Sequence, residues 1–209
     1  MRILLAIFAV LAAGCASTPK NSVSRISAAD LKWIASAPSI SIDVETATKF
    51  ARFGREEQAQ MMVGMMFGAI GAAAGAGLAI ASARKEGALL EDKYALTDPS
   101  IDVAEQMKHA LTRYQLTDER QAYVMVSLTT QSWGLSKGRL GYVVELVALN
   151  PSGRRAMARS TCRMASDAGN NDEAMLADSA ARLKAEQQLA ASSCADYFLE
   201  NVFPKARED

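Results

Sequence analysis

The stretch Met-Met-Val-Gly-Met-Met-Phe-Gly-Ala-Ile-Gly-Ala-Ala-Ala-Gly-Ala-Gly-Leu-Ala-Ile-Ala-Ser-Ala, residues 61–83, carries no charged side chain. Within it Gly64, Gly68, Gly71 and Gly75 recur at intervals of four, three and four. On an α-helix those intervals place the four glycines on one stripe, which Ala79 and Ser82 extend. The other faces carry Met62, Met65, Met66, Phe67, Ile70, Leu78 and Ile80. A helix of this kind has a groove without side chains, along which another backbone can approach closely in an apolar medium. The stretch is an association surface, and the rest of the chain must fold around it.

Composition narrows the function classes. With 209 residues there is room for one ordinary domain plus accessory segments. Lys+Arg and Asp+Glu both number 23, so no net field draws nucleic acid or steers a charged substrate. A single histidine excludes a multi-histidine metal site within one chain.

The N-terminus reads as an address. Met1-Arg2 followed by the apolar run Ile3–Ala13 is too short to span a membrane and has the form of a secretory signal. It ends in Leu11-Ala12-Ala13-Gly14-Cys15, which resembles the lipobox of bacterial lipoproteins. Leu11 stands one residue earlier than the usual leucine, whose place Ala12 holds. The resemblance covers residues 1–15 and implies a signal peptide over 1–14 and palmitate-type acylation of Cys15. The alternative is an ordinary signal peptide cleaved near Cys15, its thiol free or buried. Ala16-Ser17 put no Asp at the second mature position, similar to enterobacterial lipoproteins sent to the outer membrane. The implied location is the bacterial cell envelope, at the periplasmic face of the outer membrane. The membrane is then a partner through the anchor, since stable anchoring takes about two membrane signals. Residues 15–37 are expected as the lipidated N-terminus and a flexible tether, in which 28–34 form one or two amphipathic turns. Trp33 there suits an interfacial or a satellite core contact.

Residues 38–209 are expected to form the folded domain. Pro38–Val44 alternates apolar and polar residues, with Ile40, Ile42 and Val44 on one face, and predicts the first strand. Residues 45–86 read as a long helical insertion with the apolar core 61–83, its glycines similar to a glycine zipper, and Gly87 as a helix stop. The length of 61–83 permits a membrane span, but alanine and glycine contribute little transfer energy. Packing against copies of itself or membrane-embedded partners, or burial within the domain, stay open beside it.

Beyond residue 96 the pattern is regular. Thr97-Asp98-Pro99-Ser100 is a helix start, followed by an apolar stripe of Ile101, Ala104, Met107, Leu111 and Tyr114. His109 falls off that stripe and reads as solvated. Three strands follow over 123–133, 140–149 and 154–164, joined by 134–138 and by the turn Asn150-Pro151-Ser152-Gly153, so that they form an antiparallel meander. Arg154, Arg155, Arg159 and Arg163 cluster on the last of them, on an outward face. Asn170–Glu173 then starts a long helix whose stripe runs Leu176, Ala180, Leu183, Gln187, Ala190, Cys194, Phe198. Cys162 lies on a strand face of small residues, Ala156, Ala158 and Ser160, which lets a helix come close. Cys194 lies on the helix stripe that should meet it. In an oxidising compartment such a pair is read as a disulfide, with two buried thiols as the alternative.

The expected fold class is α+β, a small two-layer sandwich in the order β-(long helical insertion)-α-β-β-β-α. That order resembles the small α/β sandwiches of several periplasmic lipoproteins, including auxiliary lipoproteins of transport systems. No phosphate loop or nucleophile elbow appears, and the carboxylate pairs Glu56-Glu57 and Glu91-Asp92 read as solvated helix faces, so neither a catalytic residue, a metal site, a cofactor nor a small-molecule substrate is expected, and no enzyme. The expected function is a lipid-anchored envelope protein of structural or assembly type, whose partner is itself or another envelope protein. The alternative is a periplasmic binding module auxiliary to a transport system.

Overall fold

The computed structural model describes residues 22–23, 26–46, 48–54, 68–112, 114–118, 122–166 and 171–203. It is a mixed α+β structure of four helices and a mostly antiparallel sheet. The elements are β1 (Ser22–Val23), α1 (Ala28–Ala35), β2 (Ser39–Glu45), β3 (Ala51–Phe53), α2 (Gly68–Tyr94), α3 (Pro99–Ala110), β4 (Gln115–Leu116), β5 (Val124–Ser136), β6 (Arg139–Leu149), β7 (Ala156–Ala165) and α4 (Asp172–Val202). The sheet order is β1-β7-β6-β5-β2-β4, with β3 also on β5.

Strict alternation drives the meander β5-β6-β7. Val124, Val126 and Leu128 pair through Ala148 and Leu146 with the buried row Tyr142, Val144, Leu146 and Ala148 on β6. That row meets Ala158, Ser160 and Cys162 on β7. Helices α3 and α4 pack on each other and on this sheet. The β6–β7 turn closes as its sequence implies, the Gly153 N–H donating to the Asn150 carbonyl at 2.8 Å with Gly153 at a positive φ that a side chain would disfavour.

Helix α3 starts as read, with Asp98 capping the Ser100 N–H at 2.9 Å and Pro99 in the first turn. Its buried face differs from the expected stripe. Val103, Ala104 and Met107 turn inward with Leu111, while Ile101 is exposed, because the polar cap Asp98–Ser100 is itself drawn into the core. There the Ser100 and Thr130 hydroxyls both donate to Asp98 Oδ1, so a carboxylate is buried with its oxygen satisfied. Helix α4 is capped by Asn171 and is interrupted at Ala177–Ala180, where Asp178, Ser179 and Ala180 have positive φ. Its buried positions include Met175, Ala180, Leu183, Gln187, Ala191, Cys194 and Phe198.

The region expected as one helical insertion over 45–86 is different. β2 extends to Glu45, and residues 51–53 form β3, parallel to β5 at Gly134–Ser136. β2 runs parallel to β5 at 124–129, so β2 and β3 share one edge of β5, on either side of the irregularity between Thr130 and Ser132. Phe50 is fully buried against Trp133, ring centroids 4.8 Å apart, and the Trp133 indole N–H donates to the Thr48 carbonyl at 2.9 Å. These contacts hold 48–50 against the sheet and Ala51–Phe53 in it, although the segment lacks a strand's alternation. Gly87 is no stop either: α2 runs through it to Tyr94. The predicted loop 134–138 shrinks to Lys137-Gly138, both at positive φ as a two-residue hairpin requires, and Gly134 lies inside β5. Residues 22–37, expected within the tether, contribute β1, paired with β7, and α1, capped by Ser27 and seating the fully buried Ile34.

Candidate functional site

Of the residues singled out by the sequence, Cys15 and Gly64 lie outside the described residues. Gly68, Gly71 and Gly75 fall in the first turns of α2. The small-residue row continues from them through Ala79 and Ala83, both fully buried, to Gly87, always four residues apart. Ser82, expected on that row, is exposed. The C-terminal half of the row lies on β3. A Cβ built on Gly87 would overlap the Phe50 carbonyl, and one on Gly134 would overlap the Ala51 carbonyl from the β5 side. The β3 backbone is thus held between two bare glycines. Among the described residues no helix is long and apolar enough to cross a membrane.

Cys162 and Cys194 form a disulfide between β7 and α4, Cα atoms 5.6 Å apart, both fully buried. His109 is exposed near the end of α3. Arg155 pairs with Asp30 at 2.7 Å and Arg159 with Glu145 at 3.4 Å, so part of the β7 arginine cluster stitches the domain's own surface. Trp33 stacks on Tyr123 at 4.8 Å, half-exposed, which is a satellite contact.

Beside β3 the fold opens a groove of about 590 Å³, walled by α2 and by the β5–β6 hairpin. Its floor is made of small or apolar residues, Ala51, Phe53, Gly134 and Gly141, with Ile80 on the α2 wall and the buried Leu140 at its edge. Ser132, Gly134 and Ser136 alternate with the buried Trp133 and Leu135, so they line the sheet face opposite the buried row. Four cations surround it, Lys49, Arg84, Lys137 and Arg139, and no carboxylate lines it. The nearby acids are already engaged. Arg52 pairs with Glu86 at 2.8 Å and Asp172 at 3.3 Å, Lys49 pairs with Glu91 at 3.5 Å, and Asp172 also accepts from the Gly138 N–H at the hairpin turn. This network ties β3, α2, the hairpin and the start of α4 together, which gives the groove fixed walls.

A second groove of about 570 Å³ lies between β6, β7 and α4. Arg182 and Glu186 line it with Leu189 and Tyr142, so it carries no charge excess. Burial, with the nearby Asp102 charge, pushes the Tyr142 phenol up, keeping it neutral. Behind it Gln187 donates to the Thr97 carbonyl and to Asp102 Oδ2. Burial raises the Asp102 carboxyl above its ordinary 3.8, opposed by the Gln187 hydrogen bond and aided by the Asp98 charge. Among the described residues no group of three His, Cys, Asp or Glu side chains is placed to hold a metal ion.

The charged groove was not foreseen. Its cations come from three separate parts of the chain, Lys49 just before β3, Arg84 on α2, and Lys137 with Arg139 on the β5–β6 hairpin. The only sequence signal was Gly141 inside a strand-like run, which marks close backbone approach or open space.

No protein-family model matches the chain, and no curated protein matches it. Among solved structures the fold is similar to the PelC dodecamer from Paraburkholderia phytofirmans in two crystal forms. The TM-scores are 0.39 and 0.40, at 9% identity, covering 86% of this chain and 95% and 94% of those chains. It is also similar to a Caulobacter crescentus CB15 protein provisionally designated a lipoprotein, with a TM-score of 0.37 at 14% identity over 58% of this chain and 98% of that one. Likeness at this level carries no functional argument.

Proposed function

We propose that the chain is a lipid-anchored bacterial envelope protein of assembly type, held through Cys15 at the periplasmic face of the outer membrane, in which the N-terminal part of the glycine row associates with copies of the same chain. The row itself supports this reading. Where it is packed, at Ala79, Ala83 and Gly87, it serves close approach to another backbone, that of β3. The same row extends N-terminally as Gly75, Gly71, Gly68 and, in sequence, Gly64. A helix whose bare face seats a backbone at one end is suited to seat a second helix at the other. The role is non-enzymatic, and the disulfide between β7 and α4 suits an oxidising compartment.

The experiment is cross-linking in intact envelopes with a short bismaleimide, using Gly71→Cys, which faces the proposed contact, and Arg154→Cys on the exposed β6–β7 turn as control. Association along the row gives cross-linked multimers from the first and not from the second. Equal cross-linking from both, or none from either, contradicts the proposal. Metabolic labelling with palmitate, lost in Cys15→Ser, tests the anchor separately.

A further inference from the structure

We infer that the groove beside β3 holds one anionic membrane lipid, its phosphate among Arg84, Lys137 and Arg139 and an acyl chain along Phe53, Ile80 and the glycine floor. This goes beyond the assembly role and does not require it. Three observations carry the inference. First, the charge is one-sided. The lining contains four cations and no acid, and Arg84, Lys137 and Arg139 have no ion-pair partner among the described residues, because the acids around them are engaged by Arg52, Lys49 and the Gly138 N–H. A cationic ring over an apolar floor matches a molecule that is anionic at one end and apolar along the rest, and basic pockets of this kind take lipid head groups. Second, the apolar and cationic parts are in register. Ile80 and Arg84 stand one helical turn apart on α2, with Ile80 left 39% exposed toward the groove. Third, the floor is bare where the domain does not need it to be. A Cβ on Gly141 would meet only the Met164 carbonyl at 3.8 Å, an ordinary contact, in contrast to Gly134. The groove's volume lies within the ordinary range of ligand sites.

The test uses the full chain in non-ionic detergent micelles and counts bound lipid by native mass spectrometry as phosphatidylglycerol is titrated in. Phosphatidylcholine tests the need for negative charge, and inorganic phosphate tests the need for the acyl chain. Two variants attack the groove from opposite sides, Arg84→Glu with Arg139→Glu from the charged rim and Gly141→Leu from the floor. The expected result is phosphatidylglycerol binding about tenfold tighter than phosphatidylcholine, and about tenfold weakening in the charge-reversed variant. Gly141→Leu is expected to weaken it at least fivefold without altering the charge preference, and phosphate alone to compete at least tenfold more weakly than the lipid. Equal affinity for the two lipids, or variants within twofold of the parent chain, overturns the inference. Phosphate competing as well as the lipid also overturns it, in favour of a simple anion site.

Discussion

Gly87 of α2 lies so close to Phe50 that the Cβ it lacks would occupy the space of the Phe50 carbonyl. This contact locks the long helix onto β3, and from the opposite side Gly134 presses on the Ala51 carbonyl. The order of the structure follows from it: a glycine row that packs one backbone within the domain and offers its continuation outside.

Replacing Gly87 with Ala is therefore expected to destabilise the domain by about 1–3 kcal/mol, since backbone atoms must shift to admit the methyl group. Gly77, on the same helix, has nothing within 4 Å of its Cβ position. Gly77→Ala is expected to stabilise by about 0.5–1 kcal/mol through helix propensity. Urea unfolding of both variants measures the contrast, and destabilisation of equal size at the two positions would contradict the packing argument.

The disulfide closes a span of 32 residues between β7 and α4. Cys194→Ala is expected to lose about 3.5–4 kcal/mol, on the chain-entropy scale for a loop of this length. The same loss should appear in the parent chain on adding reductant. A parent chain whose urea midpoint ignores reductant would show that the bridge contributes nothing.

The pH dependence has a defined sign at Asp102. Its carboxyl is raised by burial, so over the interval from its ordinary 3.8 to the higher folded value the native state binds more proton than the unfolded state. Stability from this group is present below 3.8 and is lost as pH rises through the folded value. Asp102→Asn is expected to flatten that part of the stability–pH curve. Gln187→Leu removes the hydrogen bond that opposes the rise, so it is expected to widen the interval and to cost about 1–3 kcal/mol through the unpaired Thr97 carbonyl. Thermal unfolding across the acid limb checks both.

Elements whose pattern is local were legible. Val124–Leu128 and Tyr142–Ala148 alternate because one face is buried, and the cysteine pairing followed from placing Cys162 among small residues opposite the Cys194 stripe. What escaped was non-local. β3 is three residues long, pairs in parallel through its backbone, and is held by Phe50, Trp133 and two glycines remote in sequence, none of which leaves a periodic trace. Gly87 looked like a helix stop because a glycine's propensity is visible in sequence while its packing partner is not. The groove escaped for the same reason: Lys49, Arg84, Lys137 and Arg139 converge only through tertiary packing.

The most direct measurement is the assembly size of the full chain in detergent, by light scattering, for the parent and for the double replacement Gly68→Leu with Gly71→Leu, with Gly77→Leu as the off-row control. If the row is the association face, the parent and the Gly77→Leu control form the same multimer and the double variant falls to monomers. A double variant that assembles to the parent's size would contradict it.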